Sequence, residues 1–252
     1  MKIRAESFPP TSASECMRLD EEILSKAEKG ETHARIYEWE SPSISVPRSF
    51  SLDGVNFSVL QDAGIEFVKR PTGGGVLING FDLSYSIGVP RQGGWGGLGI
   101  DEAGLILALP VLETLIKCGF MASFRPLKGA DNVPQNSPFD TAQGIAQGEP
   151  AARVKPLCAT QKSPLDILIS GRKVAAFAQR RTAKALFQHG SIYIRRVPER
   201  VISSVIKAGL GSDLEWRMAD EAVIPLEETG VVDVGRLKEL LAVAVAGLQE
   251  PK

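Results

Sequence analysis

Residues 76–87 read Val76-Leu77-Ile78-Asn79-Gly80-Phe81-Asp82-Leu83-Ser84-Tyr85-Ser86-Ile87. A short apolar run stands before Asn79-Gly80, and the alternating Leu83 to Ile87 stands after it. Period-two alternation marks a strand with one buried face, and Asn-Gly supplies the positive-φ positions of a two-residue turn, so the stretch predicts a β-hairpin. The same grammar recurs downstream: Asp166-Ile167-Leu168-Ile169, the turn Ser170-Gly171, and Arg172 to Gln179 predict a second hairpin, with Ser191 to Ile194 a further strand. Upstream, Ala34 to Trp39, Ser43 to Val46 and Ile65 to Val68 are short strand segments, the last preceded by a short helix ending at Asp62. Helical spacing covers Ser14 to Gly30, Asp101 to Cys118 (kinked or divided at Pro110), Pro198 to Ala208 and Asp233 to Leu248. Strands grouped in hairpins, with helices between and after the groups, predict an α+β fold with a mixed, mainly antiparallel sheet packed on helices.

The 252 residues are 43% hydrophobic and 23% charged, the balance of a folded globular chain. We expect one domain over 1–252. The segment 132–155 is rich in Pro, Gln, Gly, Ser and Ala and poor in large apolar residues, so a flexible loop is expected there. Lys and Arg total 29 against 30 Asp and Glu, which excludes a chain-wide attraction to nucleic acid or an anionic membrane. Three widely spaced cysteines build neither a disulfide framework nor a thiolate zinc site, and no carboxylate or histidine cluster has metal-ligand spacing. With no signal-peptide run and no membrane span in the pattern, a cytoplasmic protein is expected.

Several groups could carry chemistry. Gly73-Gly74-Gly75 lets backbone approach a ligand closely, and Lys69 and Arg70 beside it suit a phosphate or carboxylate, although a plain tight turn gives the same pattern. Between Asp166 and Glu199 there is no acidic residue, while Arg172, Lys173, Arg180, Arg181, Lys184, Arg195 and Arg196 all fall there. A lysine on a rigid strand can hold a phosphate or a developing oxyanion; a basic strand edge that discourages aggregation is the alternative. On a regular strand Lys173, Ala175, Phe177 and Gln179 share one face. Cys158 has Lys155 and Lys162 close in sequence, and nearby ammonium groups favour the thiolate that a nucleophile needs. Cys16 and Cys118 fall on apolar helix faces and are expected in the core. His189 could act as acid, base or orienter, or be a hydrogen-bonded structural residue. Gly93 to Gly97 reads as a hinged lid or as a connector anchored by Trp95.

Taken in order, Leu19-Asp20-Glu21, Arg70-Pro71-Thr72-Gly73-Gly74-Gly75, Ser84-Tyr85-Ser86, Asp166 to Lys173, Ala178-Gln179-Arg180-Arg181 and Gln188-His189-Gly190-Ser191 resemble the lipoate-protein ligase and octanoyltransferase superfamily. The resemblance runs from about residue 15 to 230. It implies a catalytic domain with a mixed sheet, like that of biotin ligases, which attaches octanoate or lipoate to a lipoyl-domain lysine. Acceptors of that kind are lipoyl domains of 2-oxoacid dehydrogenases and the glycine cleavage H protein.

On the resemblance, Lys173 matches an active-site lysine. Arg70, Thr72, Gly73, Gly74 and Gly75 line the acyl or acyl-adenylate pocket, and Asn79, Asp166, Gln179 and His189 complete the substrate-binding set. Cys158 stands where cysteine-dependent octanoyltransferases carry their nucleophile, which favours transfer from acyl carrier protein without a cofactor. The accessory domain of many one-chain ligases is also expected to be absent, which favours the transferase. The alternatives are a ligase that activates free lipoate with ATP and Mg, and a lipoyl-pathway binding protein without turnover. The pattern departs from the family at Ala159, where phenylalanine is usual, at Asn79, where histidine is usual, and at Ala176-Phe177, where Gly-Ser is usual. Phe177, on the face of Lys173, is expected to narrow the acyl pocket.

Overall fold

The computed structural model describes residues 3–126 and 157–251. The expected loop at 132–155, with Lys155, lies outside the described residues. Ten strands and six α-helices are described: β1 (Arg4–Ser7), α1 (Ala13–Glu28), β2 (His33–Tyr37), β3 (Ser43–Pro47), α2 (Phe57–Asp62), β4 (Glu66–Arg70), β5 (Leu77–Asn79), β6 (Asp82–Pro90), α3 (Ile100–Lys117), β7 (Ala122–Phe124), β8 (Ile167–Ile169), β9 (Arg172–Arg181), β10 (Ala185–Tyr193), α4 (Glu199–Lys207), α5 (Asp213–Ala222) and α6 (Val234–Ala246). Seven strands form one sheet in the order β1-β2-β6-β10-β9-β8-β7, antiparallel throughout except for the parallel β1–β2 pair. A second sheet, β4-β3-β5, is mixed. The α+β expectation is met. β1, β7 and α5 had no counterpart in the sequence pattern, and α3 runs through Pro110 as one helix.

One expected hairpin is absent. β5 pairs with β3, Asn79 opposite Ser43, while β6 pairs with β2 and β10, so Asn79-Gly80 is a corner between two sheets. Gly80 has φ +100°, its N–H donates to Asp82 Oδ1 at 2.9 Å, and a Cβ on it would stand 3.0 Å from the Ser41 carbonyl oxygen. Gly80 takes the positive φ expected of it but Asn79 does not, and the two strands they join pair within different sheets. The second hairpin forms as expected, with Ser170 and Gly171 both at positive φ between β8 and β9.

The large sheet has two different faces. Leu83, Tyr85, Ile87, Val89, Leu186 and Ile192 turn to α3 and α6 and form the main apolar core, in which Trp95 is buried, so the Gly93–Gly97 segment is an anchored connector. The other face receives α1. Gly88 permits that approach, because a Cβ there would lie 2.8 Å from Ile23 Cγ2. α1 buries Cys16, Met17, Ile23, Leu24 and Ala27, and on the same stripe Asp20. A second apolar cluster joins the small sheet to α2, α4 and α5. β9 is interior, between β10 and β8, so the basic-edge reading does not hold; its cations find distant partners, Lys173 at Asp166 and Arg172 at Glu228.

Candidate active site

The cleft between α1, the small sheet and the large sheet is lined by Met17, Tyr37, Trp39, Ser45, Arg70, Leu77, Asn79, Ser84, Cys158, His189 and Ser191, with the 176–178 stretch of β9. Alternation along β10 aims Phe187, His189, Ser191 and Tyr193 at this face. Cys158 and His189 both line it.

The His189 Nδ1 lies 3.1 Å from Asp20 Oδ2 and its Nε2 lies 2.7 Å from Thr72 Oγ1. A carboxylate only accepts, so Nδ1 carries the proton, and in the neutral ring Nε2 accepts from the threonine hydroxyl. Asp20 in turn takes Arg35 Nε and Nη2 at 3.2 and 2.8 Å, and the guanidinium lies 3.6 Å over the Tyr37 ring. Burial pushes the Asp20 pKa up, but the Arg35 charge and the His189 hydrogen bond outweigh it and hold the carboxyl below its usual range. Asp20, Arg35 and Tyr37 were missed as site residues. The available signal was a single acidic residue on the otherwise apolar stripe of α1.

Cys158 opens a short 3₁₀ turn, Cys158–Thr160, and its N–H donates to the Val76 carbonyl at 3.0 Å, so the exit of the glycine loop seats it. Lys173 Nζ donates to the carbonyls of Gln161 (2.6 Å) and Cys158 (3.3 Å) and lies 3.2 Å from Asp166 Oδ1. Asp166 also accepts from the Ser163 N–H at 2.9 Å and from Arg125 Nη2 at 3.2 Å. This buried cluster clamps the cysteine turn to the sheet.

Lys173 reaches the cysteine turn through a β-bulge. Ile167 pairs with Ala175 but Leu168 with Lys173, leaving Val174 as the extra residue. Val174 and Ala175 both enter the main core, so the alternation is broken and Lys173 falls on the face opposite Ala175, Phe177 and Gln179. The expectation of one shared face is corrected accordingly. Phe177 does not narrow the cleft with its ring: the ring packs edge-on to Tyr85, 6.0 Å between centroids, in the space Gly190 leaves on the α3 side. Gln179 is on that side too, donating to Gln188 Oε1 at 2.7 Å.

Arg70 is buried, and its guanidinium donates to the carbonyls of Ser45 (2.8 Å), Gly73 (2.7 Å) and Gly75 (2.6 Å). Burial draws its pKa down, against the opposing effect of nearby Cys158. It shapes the loop; Gly74, at φ +97°, could not carry a Cβ, which would meet Arg70 Nη2 at 2.9 Å. Gly73 and Gly74 are exposed and Gly75 is buried. Asn79 lines the cleft and donates to Ser45 Oγ at 3.1 Å. Cys16 is fully buried, whereas Cys118 caps α3 half-buried. Among the described residues no group of three His, Cys, Asp or Glu side chains could hold a metal ion, and no helix is long and apolar enough to cross a membrane.

The α+β frame that carries this cleft is matched by known proteins. The lipoyl protein ligase A/B catalytic domain matches residues 12–208, and the chain belongs to that family. Octanoyltransferase LipM of Carboxydothermus hydrogenoformans is 29% identical over 187 residues, 73% of this chain and 62% of that one. The LipM of Symbiobacterium thermophilum is 27% identical over 235 residues, 82% and 78% of the two chains. The chain thus spans less than two thirds of the first of these relatives. Among solved structures, lipoate-protein ligase A bound with ATP has a TM-score of 0.67 at 16% identity, over 97% of this chain and 84% of that one. A bi-partite lipoate protein ligase of Thermoplasma acidophilum has 0.65 at 14%, over 97% and 82%. These two likenesses are of fold.

Proposed function

We propose that the chain is a cysteine-dependent octanoyltransferase that moves an octanoyl group from acyl carrier protein to a lipoyl-domain lysine, with Cys158 as nucleophile. The observation that carries this reading is the position of Cys158 in the cleft, on a turn clamped by Lys173 and seated on Val76. Relatives named octanoyltransferase LipM support the same reaction. The Cys158 sulfur attacks the thioester carbonyl, the carbon–sulfur bond to the donor breaks, and the proton lost by Cys158 ends on the departing thiol. The acceptor amine then attacks the acyl-cysteine, forming the amide and returning the thiol. The reaction needs no cofactor, and its free thiol suits a reducing cytoplasm.

The acyl chain lies along β10, from Cys158 toward His189. Both ring nitrogens of His189 are engaged, by Asp20 and by Thr72, so His189 is not the base for the acceptor amine. Lys173, with its ammonium committed to Asp166 and two carbonyls, holds the nucleophile's turn in place.

The test is intact-protein mass spectrometry after incubation with octanoyl acyl carrier protein and no ATP. We expect an octanoyl adduct that maps to Cys158 and chases onto a lipoyl-domain lysine, and its disappearance in Cys158→Ser. Transfer at the native rate by the serine variant would overturn the mechanism. No adduct on the native chain, with acyl-adenylate formed from ATP, Mg and free lipoate, would replace the transferase by the ligase; binding of the lipoyl domain with neither reaction would leave a non-catalytic partner.

A further inference from the structure

Acylation of Cys158 turns the thioester carbonyl oxygen into an oxyanion, which needs hydrogen-bond donors already aimed at it. The two cations near Cys158 are committed. Lys173 has three protons and three acceptors, Asp166 and the carbonyls of Cys158 and Gln161, while Arg70 is directed at the carbonyls of Ser45, Gly73 and Gly75. Tyr193, the last residue of β10, is different: it is 9% exposed and its buried hydroxyl has no hydrogen-bond partner among the described residues.

Its place in the fold brings it to the reacting cysteine. Tyr193 follows Ser191 on the cleft-facing side of β10, and Ser191 lines the cleft together with Cys158. Tyr193 itself lines the adjoining apolar cavity with Val76, whose carbonyl seats Cys158, and with Ala159, the next residue in the chain. The other buried side-chain atoms without partners among the described residues lie elsewhere: Ser86 Oγ and Arg35 Nη1 by His189, Gln179 Oε1 and Trp95 Nε1 on the α3 side, Arg181 Nε at the far end of β9.

We propose that the Tyr193 hydroxyl is a catalytic donor, hydrogen-bonding the carbonyl oxygen of the acyl group as Cys158 attacks it. This rests on Cys158 being the nucleophile. The sulfur–carbon bond forms while the carbonyl π electrons move to oxygen; Tyr193 stabilises that charge and keeps its proton, and collapse expels the donor thiol. Burial first, then the neighbouring Cys158 and Asp166, push the Tyr193 pKa well above 10, so the phenol stays a donor at physiological pH.

The test compares the native chain with Tyr193→Phe in single-turnover acylation by octanoyl acyl carrier protein, in alkylation of Cys158 by iodoacetamide, and in thermal melting. Alkylation forms no oxyanion. We expect acylation to slow by about 100-fold, the usual order for loss of one oxyanion donor, with alkylation unchanged and Tm no lower than native. Acylation at the native rate overturns the proposal and leaves the Cys158 reading standing. Alkylation falling in step with acylation assigns Tyr193 to placement of the thiol, and a lowered Tm gives the hydroxyl a structural partner; either overturns it. A native chain that forms no adduct removes the Cys158 reading, and this proposal with it.

Discussion

Lys173 and Asp166 show how a charge is made useful by being confined. Each is nearly inaccessible to water, and such a pair is weak evidence of net stability, yet removing one partner leaves the other charge buried and uncompensated. Asp166→Asn is therefore expected to lower stability by about 3 kcal/mol in urea unfolding. It also releases the lysine from one of its three acceptors, and with it the Cys158–Gln161 turn. Under the transferase reading, single-turnover acylation should fall about ten-fold, because the nucleophile is no longer held in attacking geometry. A variant with native stability and native acylation would show that the clamp does nothing. Cys158, Lys173 and Asp166 were legible as candidates in the sequence, but their mutual contact was not: fifteen positions separate the lysine from the cysteine, and only the turn at 158–161 and the bulge at Val174 bring them together.

At the scale of elements, the β9–β10 pair carries most of the site and also the plainest test of the fold. Gly190 stands opposite Phe177, and an alanine Cβ there would fall 2.3 Å from Phe177 Cδ1 and 2.9 Å from the Ala176 carbonyl oxygen. Overpacking of this kind costs about 1–3 kcal/mol, so Gly190→Ala should melt lower than the native chain. Adding Phe177→Leu should recover part of the loss, since it removes the nearer of the two obstacles; equal melting of the single and double variants would sink this account of the pair. The sequence pattern located β9 but only the end of β10, from Ser191 on. It could not reveal the bulge, because one extra residue leaves no local mark when Val174 and Ala175 are both apolar. Nor could it tell that the strands around Asn79-Gly80 go to different sheets, since a turn signal reports local backbone geometry and not the partner each strand finds.

For the whole molecule, the pairing of α1 with the large sheet should govern the response to acid. Asp20 sits under α1, bonded to Arg35 of β2 and His189 of β10, and its folded pKa lies below its usual value because those partners outweigh burial. A depressed carboxylate contributes stability above its unfolded pKa and loses it as pH falls through the folded one. Stability should therefore decline below about pH 4, the ordinary aspartate range. Asp20→Asn should be less stable near neutral pH by about 3 kcal/mol, with Arg35 left unpaired, and should show a shallower decline on acidification. Chemical unfolding of the two proteins across pH 3–7 measures both effects; parallel curves would mean that Asp20 is not the group that ties α1 to the sheet.

What the amino-acid order determined by itself is local. Apolar spacing set out α1, α3, α4 and α6, turn residues set the β8–β9 hairpin, and motif order marked out the family whose catalytic domain matches residues 12–208. The tertiary structure alone decided which strands share a sheet and which side of β9 Lys173 faces. It also committed Arg70 to backbone carbonyls and left the Tyr193 hydroxyl without a partner among the described residues. The reason is physical: helix and turn preferences act over a few residues, whereas strand pairing and the satisfaction of buried polar groups are settled between segments far apart in the chain, where desolvation makes every unmet donor and every unpaired charge costly.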